Sequence, residues 1–592
     1  MRLTLIVITL FSATIEATLP LWPLPRHLKS GSSTLWMARD VKFSYLSKSN
    51  LQNFVGWFWD QVQFPHFEST GDGRHTPAAK RNLAHRAFER MQKRVFEQNL
   101  VPSKFNPRGL SFEPSYNVTS ALFVKSVDII EVSSLVHEAI ADDIADEAYT
   151  IDVNPAGNCR IQVVTIQGAI YALETFAQLF FAHSYFPDVV YLPFAPINIV
   201  DGPRFRHRGL NLDISRNQFT SEDVMRTIEA MSSSKFNKLH LHAIDSQSWP
   251  IEVPALPKLA REGAYEPVQV LSVTDLKEIQ KFGSVRGIEV YLEIDMPGHT
   301  TSIGKAYPNL ITAPNEPKWQ DYALEPPSGQ LRLNSSDVYE FVTTLLRDLL
   351  PRLEPYTSLF HLGGDELNKN AYNLDPTVNS SSKEVLRPLV QSFVNHAIKS
   401  TARYGFTPLL WEEMVLDWNL TLPKNTIIQT WRSTSSLSDV VFRGHKALFG
   451  SNSHWYLDCG HGVFLDPADP SRPSSDPMLH PPYEDYCSPY KNWRQVYSYD
   501  PLAGMPTSSQ DLVIGGEMHL WSELTDSVTL DGMLWPRAAA AAEVMWRGSG
   551  ARPTEDTTRR LAFLRERLVA RDIAAGMVTM EWCLRNQGGC VI

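Results

Sequence analysis

A basic surplus is missing from this chain. Its 592 residues carry 55 lysines and arginines against 65 aspartates and glutamates, a net charge of −10, and the pI is near 6.0. Non-specific nucleic-acid binding needs a basic face, so no nucleic-acid partner is expected. Cysteine is scarce: Cys159, Cys459, Cys487, Cys583 and Cys590 fit no zinc-ligand spacing. No Gly-x-Gly-x-x-Gly follows a strand-like run, which removes the main argument for a dinucleotide site. Low-complexity blocks are absent. The one apolar run at the N-terminus is too short to span a bilayer, and no other candidate span is seen, so no membrane association is expected.

Aromatic residues, by contrast, are plentiful, with 15 tryptophans and 20 tyrosines. Most fill cores, but a surplus suits a sugar site, where ring faces stack on flat apolar sugar faces. Residues 1–17 read as an export signal: Arg2, an apolar stretch from Leu3 to Phe11, then Ile15-Glu16-Ala17 before three close prolines. Four N-x-S/T sequons, at Asn117, Asn334, Asn379 and Asn419, are acceptor sites if the chain is exported. An oxidising destination favours disulfides. Cys583 with Cys590 and Cys459 with Cys487 are the economical pairs, leaving Cys159 free.

Two to four domains suit this length. Residues 18–200 mix strand-like segments (Leu122–Val132, Cys159–Thr165) with a helical one (Tyr171–Phe181). The stretch from Pro65 to Pro77 reads as a loop or a processed segment. Pro193, Pro196 and Pro203 mark a linker, since each removes a backbone donor. Beyond them strand-then-helix units repeat. The strands fall at 208–215, 238–245, 288–295, 359–366, 408–413, 426–431, 447–458 and 512–521, several of them continuous apolar runs of the kind that parallel strands show. Eight such units predict a (β/α)8 barrel, with an open doubly wound sheet as the alternative because periodicity does not show closure. An amphipathic helix is expected from Thr557 to about Arg571. The divisions expected are therefore 1–17 signal, 18–200 N-terminal domain, 201–556 barrel, and 557–592 a helix and disulfide-closed tail.

The strand ends collect chemistry. Asp213 and Arg216 follow strand one, which opens with Arg208; Asp245 ends strand two; Asp295 and Met296-Pro-Gly-His299 end strand three. Asp365-Glu366 close the apolar run Leu359-Phe-His-Leu-Gly-Gly. Trp411 with Glu412 and Glu413, Trp431, Tyr456 with Asp458, and Trp521 with Glu523 complete the set. Indoles for a sugar's apolar face beside carboxylates and an Arg for its hydroxyls point to a sugar-cleaving enzyme. Two other patterns compete: Gly363-Gly-Asp-Glu-Leu367 resembles a nucleotide-cyclase loop without any phosphate-binding context. His240-Leu-His242 puts two imidazoles on one strand face, as in barrel metal hydrolases.

His361-x-Gly-Gly-Asp-Glu366, Arg208-Gly-Leu-Asn-Leu-Asp213-x-Ser-Arg216, Met296-Pro-Gly-His299, Leu410-Trp-Glu-Glu413, Trp455-Tyr-Leu-Asp458 and Gly515-Gly-Glu-Met-His-Leu-Trp-Ser-Glu523 together resemble the signatures of family 20 glycoside hydrolases. These are the β-N-acetylhexosaminidases, and the similarity runs from about residue 20 to 592. The resemblance implies a small non-catalytic α/β domain ahead of the (β/α)8 barrel, with no cofactor and no metal. It implies Glu366 as general acid and Asp365 as the residue that orients the substrate's own 2-acetamido group, whose oxygen attacks the anomeric carbon. This is the substrate-assisted route to retained configuration. Asp245 and His299 would form a relay to Glu366, and Tyr456 would donate to the acetamido oxygen. Arg208, Asp458 and Glu523 would bind hydroxyls, with Trp411, Trp431 and Trp521 as walls. Ser246 departs from the second Asp that many members have there. The Pro-rich insertion from Cys459 to Asp511 either shapes the pocket rim or makes a homodimer contact; the sequence leaves both open.

The expected activity is exo-hydrolysis of terminal N-acetylglucosamine, with N-acetylgalactosamine as a second substrate class, from chitooligosaccharides or glycans. Secretion is the expected destination, with a vacuolar or lysosomal lumen as the alternative. The competing readings are a sugar-binding homologue without catalysis and a metal-dependent deacetylase or amidohydrolase built on His240 and His242.

Overall fold

The computed structural model describes residues 19–47, 76–117, 119–135, 146–467, 477–548 and 552–592. The expected signal and all but the last two residues of the 65–77 stretch lie outside the described residues. The first layer is a seven-stranded sheet: β1 (His27–Ala38), β2 (Lys42–Leu46), β3 (Ser126–Glu131), β4 (Tyr149–Val153), β5 (Asn158–Val163), β6 (Phe181–His183) and β7 (Phe186–Asp201). Its order is β1-β7-β4-β5-β3-β2, with β6 beside β7. Burial alternates along β3 and β5, the period-two signature of a sheet with one apolar face. Val127, Ile129, Ile161 and Val163 on that face share a core with Phe88 and Met91 of helix Pro77–Phe96 and Phe176 of helix Ile166–Gln178.

The linker expected at Pro193–Pro203 is corrected. Pro193 and Pro196 stand inside β7, and only Pro203 lies in the connection to the barrel. Both prolines fall where β4 has not yet begun to pair (its register starts at Ile197) and where β1 shifts register between Ser33 and Leu35. A proline's missing N–H is tolerated at such irregular, half-paired positions.

From His207 the chain forms a closed parallel barrel: β8 (His207–Asp213), β9 (Lys238–His242), β10 (Glu289–Glu293), β13 (Leu359–His361), β14 (Thr407–Trp411), β15 (Ile427–Gln429), β16 (Lys446–Phe449) and β17 (Val513–Leu520). Between β10 and β13 a small hairpin, β11 (Ile311–Thr312) with β12 (Gln330–Leu331), forms its own sheet. A strand is present in each of the eight expected places, the seventh ending at Phe449 with helix Asn452–Trp455 in the rest of its expected span, and closure excludes the open-sheet alternative. Helix Ser221–Ser233 begins with a Thr220–Asp223 capping box.

Alternation along the barrel strands separates two environments. Leu239, Leu241, Val290, Leu292, Phe360, Leu410 and Ile428 face outward into the main apolar core. His240, His242, Glu293, His361, Gln429, Glu517 and His519 are fully buried polar groups that fill the barrel interior. This polar interior supports the site above it.

The sheet domain covers the N-terminal end of the barrel. Lys235 Nζ lies 3.0 Å from Asp201, and Trp546 Nε1 donates to Asp201 at 2.9 Å. At the C-terminus, helix Glu555–Val569 is held by the buried Arg560–Glu543 pair at 2.8 Å. Two disulfides form, Cys459–Cys487 and Cys583–Cys590, and Cys159 is a buried free thiol, the pairing read from the sequence. Among the described residues no helix is long and apolar enough to cross a membrane.

Candidate active site

The turn after β13 sets the site. Gly363 and Gly364 have φ of +71° and +104°, open to glycine at little cost. A Cβ on Gly363 would stand 1.8 Å from Asp295 Oδ1, so the turn can pass only as backbone. Gly364 N donates to Asp295 Oδ1 at 2.8 Å, which ties the turn to the end of β10. The chain then delivers Asp365, which is buried, and Glu366, which is partly exposed at φ +49°.

The two neighbours enter different surroundings. Asp365 lies beside Asp295. Burial pushes the Asp365 carboxyl up to about 6, with His299 and Asp295 pulling it back. Burial and then the Asp365 charge drive Asp295 well above the carboxylate range. Both carboxyls are raised, Asp295 the further of the two, so the pair favours a proton on Asp295 beside Asp365. Glu366 faces His299 instead, with Nε2 to Oε2 at 3.4 Å. His299 Nδ1 is 3.0 Å from Asp245 Oδ1. Although burial opposes charge on the imidazole, Asp245 holds its pKa well above the usual histidine value. Asp245 is held well below the carboxylate range by Arg216 and then His299, against its burial.

One expected site residue does not reach this mouth. Arg208 is fully buried at the opposite, N-terminal end of β8. Its guanidinium lies 2.7 Å from Glu147 and donates to Tyr171 Oη, Phe205 O and Lys235 O, so it fastens the barrel to the sheet domain. The arginine at the mouth is Arg216, eight residues on. It lies 3.0 Å from Asp245 and 2.5 Å from Glu325, with its guanidinium over the Trp521 ring at 5.1 Å.

The remaining expected residues converge. Trp431 stacks on Tyr456 with centroids 6.0 Å apart and donates to Glu413 at 2.9 Å. Tyr456, Trp521, Trp411 and the Cys459–Cys487 bridge share one cluster. Trp411 has no exposed surface and donates to Glu293 at 2.7 Å, so it lies beneath the mouth. Burial raises Asp458 to about 7 and Glu523 well above the carboxylate range. Tyr486 is 62% exposed and directly precedes Cys487 of the bridge, and the charges of Asp458, Glu366, Glu523 and Glu325 act on its phenol, so the ring stands at the rim.

Asp295, Glu325 and Tyr486 were not selected from the sequence as binding residues. Asp295 carried a usable signal at a barrel strand's end. Glu325 and Tyr486 come from irregular loops, where spacing carries no such signal. The His240–His242 strand face is present, and His240, Glu293 and His361 offer ligand atoms within 4.8 Å of one another. His361 Nδ1 lies 3.1 Å from Glu293 and accepts from Gly363 N at 3.0 Å, and His240 Nδ1 lies 3.0 Å from Glu517.

Carboxylates, an arginine and indoles gathered at the C-terminal mouth of a parallel barrel define a carbohydrate-cleaving enzyme. Residues 205–549 match the glycosyl hydrolase family 20 catalytic domain, and residues 21–179 match the beta-acetyl hexosaminidase like domain. A beta-hexosaminidase of Arthroderma benhamiae is 42% identical over 600 residues, 96% of this chain and 97% of its own length. The chitooligosaccharidolytic beta-N-acetylglucosaminidase of Ostrinia furnacalis is 31% identical over 80% of each chain. The solved family 20 exo beta-N-acetylglucosaminidase of Vibrio harveyi, in complex with N-acetylglucosamine, superposes with a TM-score of 0.69 at 20% identity, over 95% of this chain and 79% of that one. The chain belongs to glycoside hydrolase family 20. It is a glycosidase of the β-N-acetylhexosaminidase type.

Proposed function

We propose that the chain is an exo-acting, retaining β-N-acetylhexosaminidase that removes terminal N-acetylglucosamine by substrate-assisted catalysis. The observation that carries this reading is the divergent support of two adjacent carboxylates, Asp365 on Asp295 and Glu366 on His299. Glu366, partly exposed beside an imidazolium, protonates the leaving oxygen. Asp365 accepts the acetamide N–H and balances the positive charge that develops as the acetamide oxygen closes on the anomeric carbon. The ring of the oxazolinium intermediate then opens to water, which Glu366 deprotonates, and two inversions retain configuration. Tyr456 donates to the acetamide oxygen, while Arg216, Asp458 and Glu523 hold ring hydroxyls. Trp431 and Trp521 enclose the sugar over Trp411.

Chitooligosaccharides are the first polymer class to test, because a relative named for that activity shares 31% identity; glycan ends and N-acetylgalactosamine are the others. Two disulfides and four exposed sequon asparagines, Asn117, Asn334, Asn379 and Asn419, support an exported, glycosylated enzyme. The test is release of monosaccharide from chitobiose, chitotriose and an aryl N-acetyl-β-glucosaminide. Binding of these sugars without any release would favour the non-catalytic homologue.

A further inference from the structure

The barrel interior holds more ionised groups than the two that support Glu366. They form one line. His240 Nδ1 lies 3.0 Å from Glu517 Oε2, and its Nε2 lies 3.0 Å from Glu293 Oε2, off the hydrogen-bond direction. His242 continues it, with Nδ1 at 2.6 Å from the same Glu293 oxygen and Nε2 at 2.9 Å from Asp245 Oδ2. Asp245 passes to His299 at 3.0 Å and His299 to Glu366 at 3.4 Å. Glu517, Glu293 and Asp245 alternate with His240, His242 and His299. We propose that His242 and Glu293 are positioning residues for the proton donor, extending the Asp245–His299 pair into a charge-alternating column whose balance sets the charge felt at Glu366.

The charge pattern is specific. His240 is raised to about 9 and His242 well above its usual value, in each case by carboxylate partners against burial. Glu293 and Glu517 are held well below the carboxylate range by their histidines, also against burial. Three cations thus balance three anions before Glu366 is counted. Other groups share these surroundings: His207 lies 2.5 Å from Glu517, and Glu325 comes within 4.8 Å of the Asp245 and His299 atoms. Arg216 faces Asp245 at 3.0 Å. Asp295 comes within 4.8 Å of the His242 and Asp245 ligand atoms. His361 faces Glu293 at 3.1 Å, and burial lowers its pKa, leaving it neutral. The Trp521 ring meets His242 edge to face at 4.9 Å. A buried ion pair need not add stability over an apolar core, so stability alone does not account for this column.

The inference rests on Glu366 being the proton donor. The test is the pH profile of kcat/KM on an aryl N-acetyl-β-glucosaminide for the full chain carrying His242→Gln or Glu293→Gln. Removing His242 deletes a cation and should move the alkaline limb up by about half to one pH unit. Removing Glu293 deletes an anion while His240 keeps Glu517 and His242 keeps Asp245, so the limb should move down by a similar amount. Glu517→Gln, equally buried but further along the column, should lower Tm and shift the limb least. Limbs that move in the same direction, or stay fixed while Tm falls, overturn the proposal. Should a variant not fold, 15N-histidine NMR of the unmodified chain decides: His242 must stay doubly protonated across the alkaline limb, and a neutral His242 overturns it. Failure here would leave the leaving-group contrast of Glu366→Gln intact, whereas failure of the proton-donor assignment would abolish that contrast.

Discussion

His299 Nε2 stands 3.4 Å from Glu366 Oε2, and this contact places a cation beside the group that must deliver a proton and later recover it. Both residues sit at φ +49°, a left-handed conformation that costs non-glycine residues energy and persists where surrounding structure enforces it. Replacing Glu366 with Gln keeps shape and removes the proton. Turnover of substrates with poor leaving groups should fall about 10²–10⁴-fold, and that of substrates with acidic leaving groups much less. Equal losses on both substrate kinds would remove Glu366 from the role of acid.

Asp365 should reveal a trade between activity and stability. Its folded pKa is raised to about 6 from an ordinary 3.8. A raised folded pKa means its stability contribution is fully present below pH 3.8 and is lost as pH rises through 6. Asp365→Asn should therefore be more stable than the parent at pH 7.5, by about 1–2 kcal/mol, with the gain vanishing near pH 4. Thermal melts across that range check it. Catalysis should be nearly abolished in the same variant, because the amide cannot balance the developing charge.

The Cys459–Cys487 bridge and the Asp485 carboxylate jointly fix the rim. Asp485 accepts from Gly460 N at 2.7 Å and Gly462 N at 3.1 Å, and Tyr486 lies between it and the bridge. Replacing both cysteines with serine removes a constraint worth about 3 kcal/mol for a loop of this size. The expected result is a lower Tm and a several-fold higher KM with kcat changed less. An unchanged KM would separate the rim from sugar binding.

Metal chemistry gives a separate check. His240 pairs with Glu517 and Glu293, and the proposed proton transfers and charge balance fall to Glu366 and Asp365. Exhaustive chelation followed by assay should leave kcat/KM unchanged. Loss of activity restored by added zinc would favour the metal-hydrolase reading.

Much of the barrel was legible because its short buried strands are rich in apolar residues, as Leu359 and Phe360 are ahead of His361. The parallel direction also put the site residues at strand C-terminal ends. That same rule, applied strictly, separates Arg208 from Arg216: eight residues at a strand's rise span ~26 Å, so only the later one reaches the mouth. The long strands β1 and β7 were hidden, one by its polar stretch Lys29–Thr34 and the other by prolines at an irregular register. Glu325 was out of reach because it arrives from a loop 109 residues beyond Arg216, a pairing that tertiary structure alone creates. The interior histidines were visible as a pattern, but their carboxylate partners lie on different strands.

The account turns on participation by the substrate's acetamide, and the most direct measurement compares kcat/KM for matched aryl β-glycosides bearing 2-acetamido or 2-hydroxyl groups. An intramolecular nucleophile held in place by Asp365 and Tyr456 predicts a preference of about 10³-fold or more for the 2-acetamido substrate. A thiazoline mimic of the cyclised intermediate should inhibit the parent strongly and Asp365→Asn weakly. Comparable rates on the two glycosides would contradict the account, since an enzyme carboxylate would then have to form the intermediate, with Glu523 the first residue to examine.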